Sequence, residues 1–304
     1  MPENPMADSC LVQSYDRLVS LSEADRTFLR VLEEHPQDVS AGAVVAEQGS
    51  ACNDLFVVSS GWCASEITDD AGHCQIVDIH LPGDIIGTRE VAFARRLSTL
   101  RAVTDATVCP FPRSRLNTMF QQAPRLSGVF VLIAMRREAI LSERIFDLGR
   151  RDALSRVCHF LLEIKQRLED SCTLRADRFE MPLTQQQLAD ALGLTSVHIS
   201  RVVRRLRETS VVDMRRGQVR ILDARRLKQL ARMNEEYLDL DTSWIEGASP
   251  LAVDPSMLDG QPESALPELD GVALPQTVVE DRGDSAGPGS ADDPARPTRE
   301  PSAR

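Results

Sequence analysis

Aromatic side chains, long apolar runs and paired cysteines are all scarce in this chain of 304 residues. Aromatic residues make up 4% of the chain, against 42% for all hydrophobic residues, so the cores must be packed mainly from aliphatic side chains. No stretch reaches the roughly 18 uncharged apolar residues of a membrane helix. The N-terminus has neither the basic start nor the apolar run of a secretory signal. These absences predict a cytoplasmic protein that has no membrane partner.

The cysteines lie singly, with no Cys-x-x-Cys pair. An odd number without paired spacing argues against a disulfide framework, and it also argues against a compact zinc site or an iron–sulfur cluster. We therefore expect reduced, structural cysteines and no bound metal. The seven are Cys10, Cys52, Cys63, Cys74, Cys109, Cys158 and Cys172.

Charge is distributed unevenly along the chain. The net charge is −11, yet residues 150–232 carry 18 Lys and Arg against 10 Asp and Glu, whereas residues 233–304 carry 4 against 16. A basic segment inside an otherwise acidic chain is typical of a DNA-binding module, because its cations neutralise phosphates.

The N-terminal half contains two kinds of pattern. Residues 16–35 predict an amphipathic helix with a Ser22–Asp25 capping box. From about 39 to 112, short β-rich runs follow, and four glycines are spaced by 12, 11 and 11 residues. This rhythm indicates an antiparallel sandwich or roll rather than a parallel sheet. The glycines are Gly49, Gly61, Gly72 and Gly83.

Two helices are predicted next, over about 124–148 and 152–169. The apolar stripe of the first is broad enough to pack on the sandwich and also to form a dimer seam, although Arg136 and Arg137 interrupt it; intrachain packing alone is the alternative. In the second, Cys158 and His159 are expected to be a packed core pair rather than metal ligands. The stripe of the first helix comprises Leu126, Val129, Phe130, Leu132, Ile133, Met135, Ile140 and Leu141.

Beyond about residue 247 the composition changes to Pro, Gly, Ser, Ala and acidic residues, and nine of the 17 prolines lie there. Such a segment buries too little apolar area to offset the entropy of ordering it. We expect disorder, with a short interaction motif inside it as the open alternative.

The sharpest signal is LTQQQLADALGLTSVHISRVVRRLRE, residues 183–208. Thr184 and Gln187 form a capping box that opens one helix, and Thr195 caps a second. Ala189 and Gly193 supply the close crossing and the tight turn of a helix-turn-helix. The buried side of the second helix is expected to be Ile199, Val202 or Val203, and Leu206.

The alternative to this interpretation is a generic helical hairpin. The basic outer face, with Arg201, Arg204, Arg205 and Arg207, favours DNA. The following SVVDMRRGQVRILD predicts a hairpin that turns around Arg216-Gly217-Gln218, which is typical of a wing. Arg215 and Arg216 would contact the sugar–phosphate backbone.

With these motifs in place, residues 40–232 resemble the Crp/Fnr family of bacterial transcription regulators. LPGDIIG (81–87), the helix 124–148 and the helix-turn-helix match the family's parts in order. The resemblance implies an α+β fold with an N-terminal antiparallel β-roll of the cyclic-nucleotide-binding type, a long dimerisation helix and a C-terminal winged helix-turn-helix. The implied domains are 1–123, 124–149 and 150–232, followed by an acidic, largely disordered extension, 233–304.

The effector region departs from the cyclic-AMP-binding branch of that family. The Gly-Glu and Arg-Ser pairs of that branch correspond here to Gly87-Thr88 and Arg96-Leu97-Ser98. Since the ribose carboxylate is missing, cyclic nucleotide binding is not expected, and Arg96 is expected at the surface. The effector candidates are Gly87, Thr88, Arg96 and Ser98.

No cofactor is assigned from this resemblance. An iron–sulfur cluster is not expected, because the chain has only Cys10 before residue 52 where the oxygen-sensing branch has a cysteine cluster. Haem is not expected from His73, Cys74 or His80, since scattered His and Cys on a β-roll are usually structural. The cofactor and the effector are left unknown.

The recognition helix reads Val197-His198-Ile199-Ser200-Arg201, and the resemblance implies that Arg201 makes a bidentate contact to guanine O6 and N7. Val197 stands where many family members have Glu, and it could contact a thymine methyl group. The predicted DNA-binding residues are Thr195, Ser196, Val197, His198, Ser200, Arg201, Arg204, Arg205, Arg215 and Arg216.

These features together predict a sequence-specific transcription regulator that acts as a homodimer on a palindromic site of double-stranded DNA. Activation and contact with RNA polymerase are the expectation from the family. The alternative is a small-molecule sensor or scaffold whose winged helix binds protein. The sequence offers no Ser/His/Asp arrangement, phosphate-cradling loop or metal-ligand spacing, so no catalytic residue is assigned and an enzyme is not expected.

Overall fold

The computed structural model describes residues 9–171, 178–234 and 236–246. The predicted acidic tail beyond residue 246 and Cys172 lie outside the described residues. None of the helices in these ranges is both long enough and apolar enough to cross a membrane. Helices and antiparallel sheets occur together, which confirms the predicted α+β class.

The N-terminal segment forms two helices, α1 (Cys10–Asp16) and α2 (Glu23–Val31), rather than the single predicted helix over 16–35. Ser22 is the reason. Its hydroxyl accepts from Asp25 N and the Asp25 carboxylate accepts from Ser22 N, so the capping box is present and starts a new helix there. The Asp16 carboxylate accepts from Leu21 N and closes the intervening turn.

Eight short strands form the β-roll as two four-stranded antiparallel sheets. Their orders are β1-β8-β3-β6 and β2-β7-β4-β5. Apolar side chains from both sheets fill the space between them, including Phe56, Ile86 and Leu100. The strands are β1 (Gln37–Val39), β2 (Val44–Ala46), β3 (Asp54–Ser60), β4 (Cys63–Thr68), β5 (Cys74–His80), β6 (Ile85–Ile86), β7 (Thr99–Ala102) and β8 (Ala106–Pro112).

The long helix α4 (Pro124–Arg150) follows α3 (Arg115–Gln122) and begins with Pro124, whose missing N–H costs nothing at that position. Helix α5 (Ala153–Asp170) begins at once, because Asp152 accepts from Ser155 N as its N-cap. Only Arg151 and Asp152 therefore separate the two helices.

The C-terminal domain continues with a helical pair and a three-stranded sheet of order β10-β11-β9. One apolar cluster runs from Ile79 and Leu81 of the roll, through Leu161 of α5, to Leu188 and Ile199 of this domain. The domain is thus packed on the roll. The elements are β9 (Arg178–Glu180), α6 (Gln185–Leu192), α7 (Ser196–Glu208), β10 (Val212–Arg215), β11 (Gln218–Ile221) and α8 (Ala224–Ala231).

Residues 236–246, at the start of the predicted acidic extension, return to α4. A 3-10 turn (Glu236–Leu238) and the short helix α9 (Ser243–Glu246) bury Leu238 and Ile245. Ile245 belongs to the cluster that holds α1, α2 and the start of α4, and it packs against Gly128. Helix α9 is therefore anchored on the first turns of α4.

Candidate nucleic-acid interface

Local side-chain caps define the two helices α6 and α7. Thr184 and Gln187 make a reciprocal capping box at α6, and Thr195 accepts from His198 N at the start of α7. Gly193 ends α6 in the left-handed conformation, with φ 59° and ψ 41°, which a side chain disfavours. The sequence therefore specifies both helix starts and the turn locally.

The turn between these helices rests on the end of α4. A Cβ built at Gly193 would lie 2.5 Å from Leu148 Cδ2, closer than packed carbon atoms approach. Arg156 of α5 donates to the carbonyl oxygens of Leu148 (2.8 Å) and Leu192 (3.3 Å). One guanidinium thus ties together α4, α5 and the helix-turn-helix.

Helix α7 buries one face and exposes the other. Ile199, Val202 and Leu206 are buried, whereas Val203 is only half-buried, so Val202 is the core residue of the two alternatives. Every residue predicted to bind DNA on this helix and its cap is exposed or half-exposed: Thr195, Ser196, Val197, His198, Ser200, Arg201, Arg204 and Arg205.

The arginines of this face differ from most buried arginines of the protein in lacking carboxylate partners. Arg201, Arg204 and Arg205 are exposed and form no ion pair with any residue that the structure describes. Ser200 is already engaged, since its hydroxyl lies 2.5 Å from Gln185 Oε1. The face offers three uncompensated cations, and Gln185 joins it from α6, a neighbour that the sequence pattern did not reveal.

The wing is a tight hairpin between β10 and β11. Arg215 pairs with Gln218, so the turn consists of Arg216 and Gly217 alone, both with positive φ (51° and 76°), and Gln218 belongs to the strand. Arg215 and Arg216 are exposed at the tip. Arg215 also lies 2.9 Å from the Asp213 carboxylate, so its charge is partly compensated.

The β-roll pocket is filled by its own side chains. Arg96, expected at the surface, is buried: it donates to Glu90 Oε2 (3.3 Å) and to the Asp54 carbonyl (2.7 Å). The other oxygen of Glu90 accepts from the Ser98 hydroxyl (2.9 Å). The carboxylate of this region thus comes from Glu90, which the sequence pattern did not identify.

Little space remains beside that cluster. The cavity next to Gly87, Thr88, Arg96 and Ser98 measures about 20 Å³, which is room for about one water molecule. Gly87 has φ 97°, so glycine is needed for the turn itself. The four predicted effector residues lie together, but Glu90 occupies the position between Arg96 and Ser98 that a bound anion would need.

A buried ionic network joins the roll to α4 and α5. Arg137 of α4 lies 2.8 Å from both Asp78 and Asp84. Arg167 of α5 lies 3.1 Å from Asp84 and 3.2 Å from Glu163. Although burial raises the pKa of Asp84, Arg137 and Arg167 hold it below its ordinary value. These carboxylates therefore stay charged and cross-link three parts of the protein.

Residues of the motif LPGDIIG make contacts that belong to this network. The Asp84 carboxylate accepts from Leu81 N (2.8 Å) and meets both arginines. Gly83 has φ 90°, and a Cβ there would lie 2.6 Å from Ser14 Oγ of α1. The motif is therefore a junction between α1, α4 and α5.

Cys158 and His159 are buried, as the core-pair interpretation predicts. His159 Nδ1 meets Asp147 Oδ2 at 2.5 Å, and Nε2 lies 2.8 Å from the Tyr237 hydroxyl. This chain of polar contacts fastens the segment after α8 to both α4 and α5.

The remaining surface of α4 carries a heptad stripe. Val131, Met135 and Ile145 are 45%, 55% and 64% exposed, and they lie on one face. Much of the predicted stripe, by contrast, packs inside the chain: Leu126, Val129, Phe130, Leu132 and Ile140 are buried. Arg137 belongs to the ionic network and does not interrupt the exposed stripe. The exposed positions are Val131, Met135, Glu138, Ser142, Ile145 and Gly149.

The cysteines differ from expectation at one position. Cys10 is disulfide-bonded, whereas Cys52, Cys63, Cys74, Cys109 and Cys158 are free. Burial raises the pKa of Cys63 and of Cys158 to about 12,, so both stay protonated. Among the described residues, no group of three or more His, Cys, Asp or Glu side chains is arranged to hold a metal ion.

Known proteins share this architecture. Residues 36–123 match the cyclic nucleotide-binding domain, and residues 155–230 match the Crp-like helix-turn-helix domain. The solved structure of FixK2 from Bradyrhizobium japonicum superposes with a TM-score of 0.60 at 22% identity, covering 66% of this chain and 98% of that one.

Sequence relatives extend the match. The chain is 25% identical over 213 residues to the transcriptional activator protein FnrA of Stutzerimonas stutzeri, covering 70% of this chain and 87% of the relative. It is 31% identical over 188 residues to a probable transcriptional activator of Rhizobium leguminosarum bv. viciae, covering 60% and 76%. With both domain matches in the predicted order, the chain belongs to the Crp/Fnr family of transcription regulators.

Proposed function

We propose that this protein is a cytoplasmic homodimer that binds a palindromic site of double-stranded DNA and activates transcription. The observation that carries the proposal is the exposed face of α7, where Arg201, Arg204 and Arg205 have no carboxylate partner among the described residues. Such a face favours DNA binding, because its cations neutralise phosphates and release the counterions condensed on the DNA. The relatives named as activators support the direction of regulation.

The roles of the residues follow from their positions. Arg201 projects from the exposed side of the second turn of α7, where a recognition helix reads the major groove, and its planar fork suits guanine O6 and N7. Val197, 55% exposed, presents methyl groups to a base edge. Thr195, Ser196, His198 and Ser200 are near the start of the helix, and Arg204, Arg205, Arg215 and Arg216 are placed to meet phosphates.

Dimer formation is supported by the exposed stripe of α4. The apolar surface comprises Val131, Met135, Ile145 and Phe146. Its removal from water by a second copy of the chain stabilises a dimer. Two recognition helices in successive major grooves would then lie about 34 Å apart. RNA polymerase is the partner that activation requires, and no catalytic activity is assigned.

The test of DNA reading compares Arg201→Ala with Arg215→Ala. The site is first selected from a random duplex library, and affinity is then measured on that site and on unrelated DNA. We expect Arg201→Ala to cost about 1–3 kcal/mol on the selected site only, and Arg215→Ala to weaken all duplexes about equally. An unchanged ratio of specific to non-specific affinity in Arg201→Ala contradicts the assigned base contact.

Salt dependence separates this function from the alternative, a sensor or scaffold whose winged helix binds protein. Phosphate contacts make affinity fall steeply as salt rises. Purified protein that selects no duplex at moderate salt would exclude the DNA-binding role.

The dimer is tested with Ile145→Asp, which places a charge in the proposed seam. We expect monomers by analytical ultracentrifugation and loss of binding to the full palindrome. The matched control is Ile67→Asp, at a β-roll position 40% exposed, which should stay dimeric. If Ile145→Asp remains dimeric, the seam lies elsewhere.

A further inference from the structure

We propose that helix α9 forms part of the dimer interface, where Trp244 binds a second copy of this chain. The Crp-like helix-turn-helix domain ends at residue 230, so α9 (Ser243–Glu246) lies outside that matched domain. The inference rests on the proposed pairing of α4 helices, and it adds a second contact surface to that pair.

The exposed stripe of α4 continues toward the N-terminus at Gly128. This residue lies three positions before Val131 and seven before Met135, so it occupies the next position of the same heptad repeat. In a parallel pair of α4 helices, the Cα–Cβ direction at such a position points toward the partner helix. Glycine has no side chain to place there.

Ile245 of α9 occupies the place of the missing side chain. A Cβ built at Gly128 would lie 3.2, 3.3 and 3.4 Å from three carbon atoms of Ile245, and Ile245 is 1% exposed. Because the Cβ direction at Gly128 is also the direction of the partner, α9 lies between the first turns of α4 and the second copy. At this end of the interface, the partner therefore meets α9.

The segment that carries α9 is already fastened to its own subunit. The Tyr237 hydroxyl lies 2.8 Å from His159 Nε2, and Leu238 is buried. Leu240 packs against the apolar cluster that contains Ile245. Helix α9 is thus held in place within one subunit, so association does not have to order it.

Trp244 is the large apolar side chain that α9 leaves in water. It is 59% exposed, whereas its neighbour Ile245 is 1% exposed. A tryptophan can bury about 150–250 Å², and tryptophan is enriched among the few residues that dominate binding at protein interfaces. Since Ile245 fills the space at Gly128, a second molecule is needed to cover Trp244.

The composition of the α4 stripe favours a second copy as that molecule. Glu138, Ser142 and Gly149 contribute no apolar side chain to it. In a parallel two-fold pair Glu138 would also meet its own equivalent, and like charges in contact oppose association. The stripe alone is therefore a weak seam. Helix α9 adjoins it at Gly128 and adds Trp244 from each copy.

The test measures the dimer Kd of the full chain by analytical ultracentrifugation and compares Trp244→Ala with Phe93→Ala. Phe93 is the matched control, because it is an exposed aromatic (46%) on the β-roll. We expect Trp244→Ala to raise the dimer Kd about thirtyfold or more, as truncation of a dominant interface residue does, and Phe93→Ala to leave it unchanged. The urea midpoint of the dilute, monomeric chain should be the same in Trp244→Ala and wild type. Equal dimer Kd values for these two proteins would overturn the proposal.

Tryptophan fluorescence provides a second measurement that leaves the interface unaltered. The chain has two tryptophans, and Trp62 is already buried at 7% exposed, so emission in Trp62→Phe comes from Trp244 alone. The wild type, in which Trp62 adds a constant background, is measured alongside. We expect emission to move to shorter wavelength as the concentration rises through the dimer Kd. Emission that stays constant across that range would show that Trp244 remains in water in the dimer, which refutes the contact.

Ile145→Asp separates this inference from the proposed function. A dimer that dissociates in Ile145→Asp but is unaffected by Trp244→Ala would refute the α9 contact and leave the α4 seam intact. A dimer that persists in Ile145→Asp would refute the seam, while Trp244→Ala would still decide whether α9 is an interface. A wild-type chain that stays monomeric at every concentration would refute the proposed homodimer and this inference together.

Discussion

His80 makes the stability of this protein depend on pH between about 4 and 6.5. It is 3% exposed at the end of β5. Arg137 Nη1 lies 3.2 Å from its Nδ1, and the Ser65 hydroxyl lies 2.8 Å from its Nε2. Because a guanidinium only donates, Nδ1 must accept and Nε2 must carry the single proton. The network therefore assigns a neutral ring.

The size and sign of the effect follow from the pKa. Burial lowers the pKa of His80 from 6.5 to about 4; Asp78 raises it and Arg137 lowers it further. Between those values the unfolded chain binds a proton that the folded chain does not. Stability is thus complete above pH 6.5 and falls as the pH drops toward 4. A shift of that size is worth about 3 kcal/mol at 1.36 kcal/mol per pH unit.

The assay is urea unfolding from about pH 7.5 to about pH 4.5, with the free energy of unfolding taken from the midpoint and slope. His80→Gln, which keeps polar atoms but does not titrate, is the matched control. We expect the wild type to lose more stability than the variant over this range. Equal losses in the two proteins would show that His80 titrates normally in the fold and would refute the neutral-ring assignment.

Two further predictions concern other buried groups. Glu163→Gln leaves the buried Arg144 without its carboxylate partner and removes one of the carboxylates of Arg167, so it should cost about 3–5 kcal/mol of unfolding free energy. Glu169→Gln, at the half-exposed pair with Lys165, should cost less than about 1 kcal/mol. Equal urea midpoints for the two variants would contradict the network. Ile245→Ala, at a side chain 1% exposed, should cost about 2–5 kcal/mol by the same measurement. Its neighbour Trp244, 59% exposed, should be nearly neutral as Ala, and a neutral Ile245→Ala would show that α9 does not pack on α4.

The helix-turn-helix was predictable from sequence because its signals are local. The capping pair Thr184–Gln187, the left-handed Gly193 and the cap Thr195 each act within three residues. The prediction of a single N-terminal helix over residues 16–35 was wrong for a related reason. Ser22 is an equally local signal, but the apolar periodicity on either side of it masked the break.

Short strands and contacts between distant residues could not be predicted from local sequence signals. Strand β1 has three residues, Gln37–Val39, of which only the last is apolar, so its existence depends on pairing with β8. The burial of Arg96 depends on Glu90 and Asp54, neither of which adjoins it in sequence. Spacing alone predicted a surface arginine, because nothing near Arg96 shows where the loop carries it.

Gly193 packs closely against Leu148, and Arg156 bonds to the same region. These contacts limit how far the helix-turn-helix can be separated from α4 and α5. Consider a chimera that carries only residues 183–232 of this chain, with the remaining domains taken from a relative. It would keep the side chains proposed to contact bases but would lose the contacts with α4 and α5 that orient them. The transplantable module is larger: it includes the last turn of α4 and all of α5. Substitutions that change the operator preference are therefore tolerated on the outer face of α7, whereas substitutions at the turn around Gly193 are constrained by its packing.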